Sequence, residues 1–84
     1  MYYVYVIYNR IFNKIYIGQT QDLDLRMSNH NNKIFKNSYT SRFDGIWELV
    51  YKEVCTGREK ALKREKQLKS FRGREFVRSK ISPP

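Results

Sequence analysis

Two short runs rich in tyrosine, valine and isoleucine, YYVYVIY at 2–8 and KIYIGQT at 14–20, stand five residues apart near the start of the chain. β-branched and aromatic side chains favour extended backbone, and the linker NRIFN places Asn9 and Asn13 where a turn needs them. The pattern predicts an antiparallel hairpin with strands near Tyr2–Tyr8 and Lys14–Gln19. Further on, IWELVYKEV alternates Trp47, Leu49 and Tyr51 against Glu48, Val50 and Lys52, which is the period of a third strand.

The rest of the pattern is helical or polar. DLDLRMSNH opens with Asp22 as a helix cap, sets Leu23 and Met27 one turn apart on the inner side, and pairs Arg26 with His30 at the same spacing. NNKIFKNSYTSRFDG is turn-rich and reads as a loop. TGREKALKREKQLKSF begins with a capping box, Thr56 with Glu59 three residues later, and is expected to be helical to about Ser70. GREFVRSKI reads as a last short helix packing Phe76 and Val77, before a frayed SPP end. The expected fold is α+β, a three-stranded antiparallel sheet flanked by helices, in one domain over 1–80 with a tail at 81–84. A chain of 84 residues has room for a single small core, since folding at this size buries only roughly 60% of the unfolded surface.

Composition narrows the function classes. Cys55 and His30 are each the sole residue of their type, so neither a disulfide framework nor a zinc site made of protein groups is expected. A reducing, cytoplasmic setting follows as an expectation. No apolar run approaches a membrane span and no basic leader precedes YYVYVIY, so the protein reads as soluble with no membrane partner. The net charge of +9 is unevenly spread, because residues 57–84 hold ten basic side chains against three acidic ones. A cationic face of this kind attracts polyanions, of which nucleic acid is the commonest; charge alone does not separate DNA from RNA.

One acid is out of place. Helical spacing sets Ala61, Leu62, Glu65, Leu68 and Lys69 on the core side of the long helix, and Glu65 falls where the pattern asks for a leucine. A carboxylate in that position is costly unless it is paired or binds a metal. The sequence leaves both open: an ordinary ion pair with Lys69 one turn on, or a functional site.

These elements together resemble the GIY-YIG nuclease domain, found at the front of an excision-repair nuclease, in some homing and restriction endonucleases, and as small standalone proteins. VYV at Val4–Val6 stands where the family has GIY, YIG at Tyr16–Gly18 matches unchanged, GQTQDLDLRMSNH is similar to the family's arginine-bearing and histidine-bearing helix, and WELVYKEVCTGREKALKREKQLKSFRGREF to its third strand and glutamate-bearing helix. Val4 in place of the motif glycine is the clearest departure. The resemblance implies a divalent-metal-dependent endonuclease that hydrolyses phosphodiester bonds in one step, on DNA more than RNA. It identifies Tyr5 and Tyr16 as the motif tyrosines, Arg26 as the phosphate-binding arginine, His30 as a catalytic residue of variable role, and Glu65 as the sole protein ligand of Mg2+ or Mn2+. No small-molecule cofactor beyond the metal is implied. Lys14 beside YIG and the helix cations Lys63, Arg64, Lys66, Lys69 and Arg72 are the candidate nucleic-acid contacts.

The residue types suit that chemistry in their own right. A carboxylate anchors a hard cation, a guanidinium fork matches phosphate oxygens, and a tyrosine takes a proton from water if cations lower its pKa. Tyr5 is the first choice as base and Tyr16 the second. Tyr2, Tyr3 and Tyr8 are assigned to packing, Gly18 to close approach or a bulge, and Asn31 and Asn32 to turns. Two other classes of function remain: a non-catalytic DNA- or RNA-binding module on the same fold, and an interaction protein whose aromatics are all core.

Overall fold

The computed structural model describes residues 1–32 and 39–81. Residues 33–38 of the predicted loop and 82–84 of the predicted frayed end lie outside the described residues. The strands are β1 (Tyr2–Asn9), β2 (Lys14–Thr20) and β3 (Trp47–Cys55); the α-helices are α1 (Leu23–Asn31), α2 (Arg58–Leu68) and α3 (Phe71–Arg78), with one 3-10 turn at Thr40–Arg42. The sheet order is β2-β1-β3 and both pairings are antiparallel. The expected α+β architecture is the one observed. Among the described residues no helix is long and apolar enough to cross a membrane.

The hairpin closes as its asparagines allow. Asn13 adopts φ 52°, a left-handed conformation that asparagine tolerates better than most residues, and its Oδ1 accepts from the Tyr8 hydroxyl at 3.0 Å. Asn9 is buried and donates from Nδ2 to the Asp44 carbonyl at 2.8 Å, tying the hairpin to the approach to β3.

β1 is central, and its two-residue period sends alternate side chains to opposite faces. On one face Tyr5, Ile7 and Trp47 form a buried cluster, with Tyr16, Leu23, Met27 and Phe43 packed around it beneath α1. On the other, Val4, Val6 and Ile17 meet Ala61 of α2, Leu68 and the α3 residue Val77. Val4, the departure from the motif glycine, fills this second core and sends no atoms toward the first face.

Four local expectations are corrected. Val6 pairs with Tyr51 while Ile7 pairs with Leu49, so Val50 is a bulged residue without an opposite number. That extra residue inverts the alternation: Tyr51 joins the Val4 face while Trp47 stays with Tyr5, so the predicted single face of Trp47, Leu49 and Tyr51 does not form. The Thr56–Glu59 capping box is absent, because α2 starts one residue later, with Gly57 as N-cap and no side-chain cap. α2 also ends at Leu68 rather than Ser70. Ser70 instead caps α3 by accepting from the Gly73 amide at 3.2 Å, and a Cβ at Gly73 would strike the Gln67 carbonyl and the Leu68 backbone. Finally, the core stripe of α2 is narrower than predicted: Ala61 and Leu68 are buried, Leu62 and Lys69 are exposed, and Arg64 and Glu65 sit at its two margins.

Asn31, assigned to a turn by its type, closes α1 and clasps β3 in place of a missing strand. Its Oδ1 accepts from the Trp47 amide at 2.8 Å and its Nδ2 donates to the Trp47 carbonyl at 3.2 Å. The Asp22 cap is present, with Oδ1 accepting from the Leu25 amide at 3.1 Å.

Candidate active site

Tyr5 lies mid-strand in β1, opposite Gly18 of β2. A Cβ at Gly18 would stand 2.7 Å from the Tyr5 hydroxyl oxygen and 2.9 Å from the Tyr16 ring, so glycine is what lets the two phenols close on each other. Their ring centres are 6.2 Å apart. The register continues through Gly18 without a bulge.

His30, in the last turn of α1, reaches between them, with ring centres 5.9 Å from Tyr5 and 5.2 Å from Tyr16. Its Nε2 is hydrogen-bonded to the Tyr5 hydroxyl at 2.9 Å and its Nδ1 to the Thr40 hydroxyl at 2.9 Å. In a neutral ring one nitrogen donates and the other accepts, so the two bonds are linked. Thr40 is itself fixed, its carbonyl accepting from the Trp47 indole at 3.1 Å. Tyr5, His30, Thr40 and Trp47 are all at least 98% buried, which makes a hydrogen-bonded chain running in from the Tyr5 hydroxyl. Burial, reinforced by the Arg26 charge, holds the His30 pKa down at about 4, so the ring is neutral at neutral pH.

The Tyr5 hydroxyl is the point on which the predicted residues converge. Burial raises its pKa above the usual phenol value, and the Tyr16 side chain adds to the rise. The Arg26 charge opposes it, and the Glu65 carboxylate pushes it up again. Tyr16, Arg26 and Glu65 therefore all lie within electrostatic reach of one hydroxyl, and His30 within hydrogen-bond reach. Of the groups on the chain itself, Arg26 acts to lower this tyrosine's pKa and burial outweighs it.

Arg26 is half-buried beside a surface depression that it shares with Gln19 and Arg58. Glu65 is 18% exposed, and its Oε1 accepts from Lys69 Nζ at 3.1 Å, the ion pair that the sequence left as one alternative. Among the described residues no three His, Cys, Asp or Glu side chains gather as a metal cluster. A single carboxylate oxygen site still fits magnesium, which keeps most of its water and binds through one or two carboxylates together with substrate phosphates.

The predicted nucleic-acid contacts divide. Lys66 and Lys69 flank Glu65. Lys63 is exposed on α2, and Lys14 lies at the start of β2 with Nζ 5.8 Å from the centre of the Phe43 ring. Arg64 lies at the other margin of α2, bonded to Glu53 at 2.8 Å, where Tyr51 also donates to Glu53 at 2.7 Å. That bond raises the Arg64 pKa and gives its charge a partner within the chain. Arg72 lines a depression with Arg64 on that same side. Three residues near the site were not singled out from sequence. Thr40 sits in a polar stretch with no periodicity to flag it, while Arg58 and Arg74 were visible only as part of the basic tail.

The family described as the GIY-YIG catalytic domain matches residues 1–76. UPF0213 proteins from two strains of Staphylococcus epidermidis are each 35% identical over 57 residues, covering 68% of this chain and 67% of theirs. The solution NMR structure of a UPF0213 protein from Bacillus halodurans superposes with a TM-score of 0.55 at 29% identity, covering 100% of this chain and 89% of that one.

Proposed function

The chain belongs to the GIY-YIG catalytic-domain family, a nuclease family, and from that premise we propose that it is a metal-dependent endonuclease hydrolysing phosphodiester bonds in one step, on DNA more than RNA. The observation that carries the proposal is the convergence on the Tyr5 hydroxyl of His30, Tyr16, Arg26 and Glu65, residues that are up to 60 positions apart in the chain.

In this reading Glu65 holds a magnesium ion. When bound, that ion supplies charge relief at the phosphate and eases departure of the 3′ oxygen. The chain's own residues do the rest. Arg26 presents its donor fork to the non-bridging phosphate oxygens, where negative charge grows as the bond breaks. Tyr5 is a protonated phenol at neutral pH, so it accepts a proton from water only by passing its own onward. Neutral His30, with Nε2 2.9 Å from that hydroxyl, is the acceptor in place, and Thr40 fixes the ring from behind. Tyr16 closes the other side of His30 and shapes the entrance.

The rival reading is a nucleic-acid-binding module that retains the fold without catalysis, and the Lys69–Glu65 ion pair favours it, since it gives the carboxylate a partner already. Cleavage of linear, nicked, flapped and branched DNA, with and without magnesium, separates the two. The nuclease cuts at least one of these only with metal, and Glu65→Ala abolishes cutting while most of the binding remains. A wild-type protein that binds all four and cuts none ends the catalytic reading.

A further inference from the structure

A second feature lies beside this site, along the edge of β2 that no other strand pairs with among the described residues. β1 occupies one edge of β2, and along the other runs a groove of about 310 Å3 lined by Ile15, Tyr16, Ile17, Tyr39, Lys69 and Arg74. Tyr39 comes from the segment before the 3-10 turn and lies near-parallel to Tyr16, at 23° with centres 6.2 Å apart; 39% of it remains exposed. From the opposite side come two cations, Lys69 just after α2 and Arg74 on α3. Arg74 is exposed and takes part in none of the ion pairs among the described residues. The groove continues the proposed site directly, because Tyr16 is one of its walls and Lys69 is the residue bonded to Glu65.

A part-exposed aromatic ring, two aliphatic walls and two cations make a particular chemical request: a flat apolar group joined to an anion. Its volume is near the lower limit for ligand pockets, room for one mononucleotide unit and too little for a base pair. A peptide strand added to the β2 edge would match the backbone but bring no anion to Arg74. Resting on the nuclease reading of the neighbouring site, we propose that this groove is a subsite for one nucleotide flanking the cut. Its base, out of the stack, lies on Tyr39, and its phosphate lies between Lys69 and Arg74. The substrate then needs an unpaired or displaced nucleotide next to the scissile bond, and a fully stacked duplex must first give one up.

The subsite is measurable without catalysis. In EDTA, binding of a short fluorescent oligothymidylate is compared with an abasic strand of equal length and charge. The full chain should prefer the base-bearing strand by roughly tenfold, the range that base–aromatic stacking supplies. Tyr39→Ala should lose the preference, Tyr39→Trp should keep it, and the Trp variant guards against reading a misfolded Ala variant as lost stacking. Arg74→Gln should weaken both strands alike and reduce the salt dependence by about one phosphate contact. Equal binding of the two strands by the wild-type chain overturns the subsite, even if the protein cuts DNA. Conversely, a Tyr39-dependent base preference in a protein that cuts nothing keeps the subsite and ends the catalytic reading. Binding to neither strand overturns the subsite as well.

Discussion

Val4 and Tyr5 are neighbours in the chain and belong to opposite halves of the molecule. Val4 faces α2 and α3 across a dry aliphatic core, with Val6, Ile17, Ala61, Leu68 and Val77. Tyr5 faces α1, where the contacts are rings and hydrogen bonds: His30, Tyr16, Thr40 and Trp47. The first face supplies apolar area and no chemistry. The second holds polar atoms in a fixed relation and loses more than it gains if any partner goes missing, since a buried polar group without its bond is costly. One strand thus separates stability from reactivity by its alternation alone.

The sharpest way to break that comparison is to exchange roles across it. Tyr5→Phe removes one oxygen from the polar face, and with it the route from water to His30. Cleavage should fall by about 10²- to 10⁴-fold, the usual contribution of a positioned proton acceptor, and stability by about 1–3 kcal/mol, because the buried His30 Nε2 is left without its partner. Tyr16→Phe, which has no hydrogen bond to His30 to lose, should fall less. If single-turnover rates show Tyr16→Phe to be the more damaging change, the proton route runs through the other phenol.

Leu68→Ala makes the complementary cut on the aliphatic face. Leu68 is 1% exposed and belongs to the cluster that α2 and α3 share, so the truncation should cost about 2–5 kcal/mol in denaturant unfolding. The cleavage rate per folded molecule should stay near the wild-type value. A variant that is destabilised and equally crippled in chemistry would show the two faces to be one cooperative site.

The same division is visible in pH. His30 has its pKa held near 4 by burial and by Arg26, against 6.5 when unfolded. The unfolded chain therefore binds the extra proton first, and the sign follows: stability is complete above pH 6.5 and drains as pH falls toward 4, by up to about 3 kcal/mol. Among the described residues the groups facing the ring are Tyr5, Tyr16 and Thr40 by contact and Arg26 by charge. Unfolding free energies of wild type and His30→Gln between pH 4 and 7 give a difference that isolates this residue from the carboxylates. Parallel curves would mean that the imidazole takes up its proton equally readily in the folded and the unfolded chain.

How much of this could be read in the chain depends on how local each feature is. The hairpin, the Asp22 cap and the Arg26–His30 spacing rest on interactions within one or two turns, and they stood out. The bulge at Val50 does not, because a strand's period says nothing about an inserted residue until the partner strand is in view, and so the alternation alone puts Tyr51 on the wrong face. Thr40 was hidden for the same reason, being bonded to a residue ten positions away from within a stretch that reads only as polar. Arg64 and Glu65 show the limit most clearly. Adjacent on the helix, they differ by about 100° in direction, and that alone sends the arginine to Glu53 and the acid to the Tyr5 side.

Glu65 is where the two halves touch, and the smallest stability change is expected there. It grows from the helix that builds the dry core, yet its charge reaches the polar face. Its pair with Lys69 is half open to solvent on the lysine side, and such i, i+4 pairs contribute at most about 0.5 kcal/mol. An ion pair of that size does not explain an acid at the margin of an apolar stripe. Glu65→Met keeps the length of the side chain, loses the charge and suits the helix, so the fold should be unchanged or more stable by up to about 1 kcal/mol. Metal-dependent cleavage should be gone. A residue whose removal steadies the protein and silences it is held in place by chemistry. A clear loss of stability in the Met variant, above about 1 kcal/mol, would instead make the carboxylate a structural strut and leave the Tyr5 face without its acid.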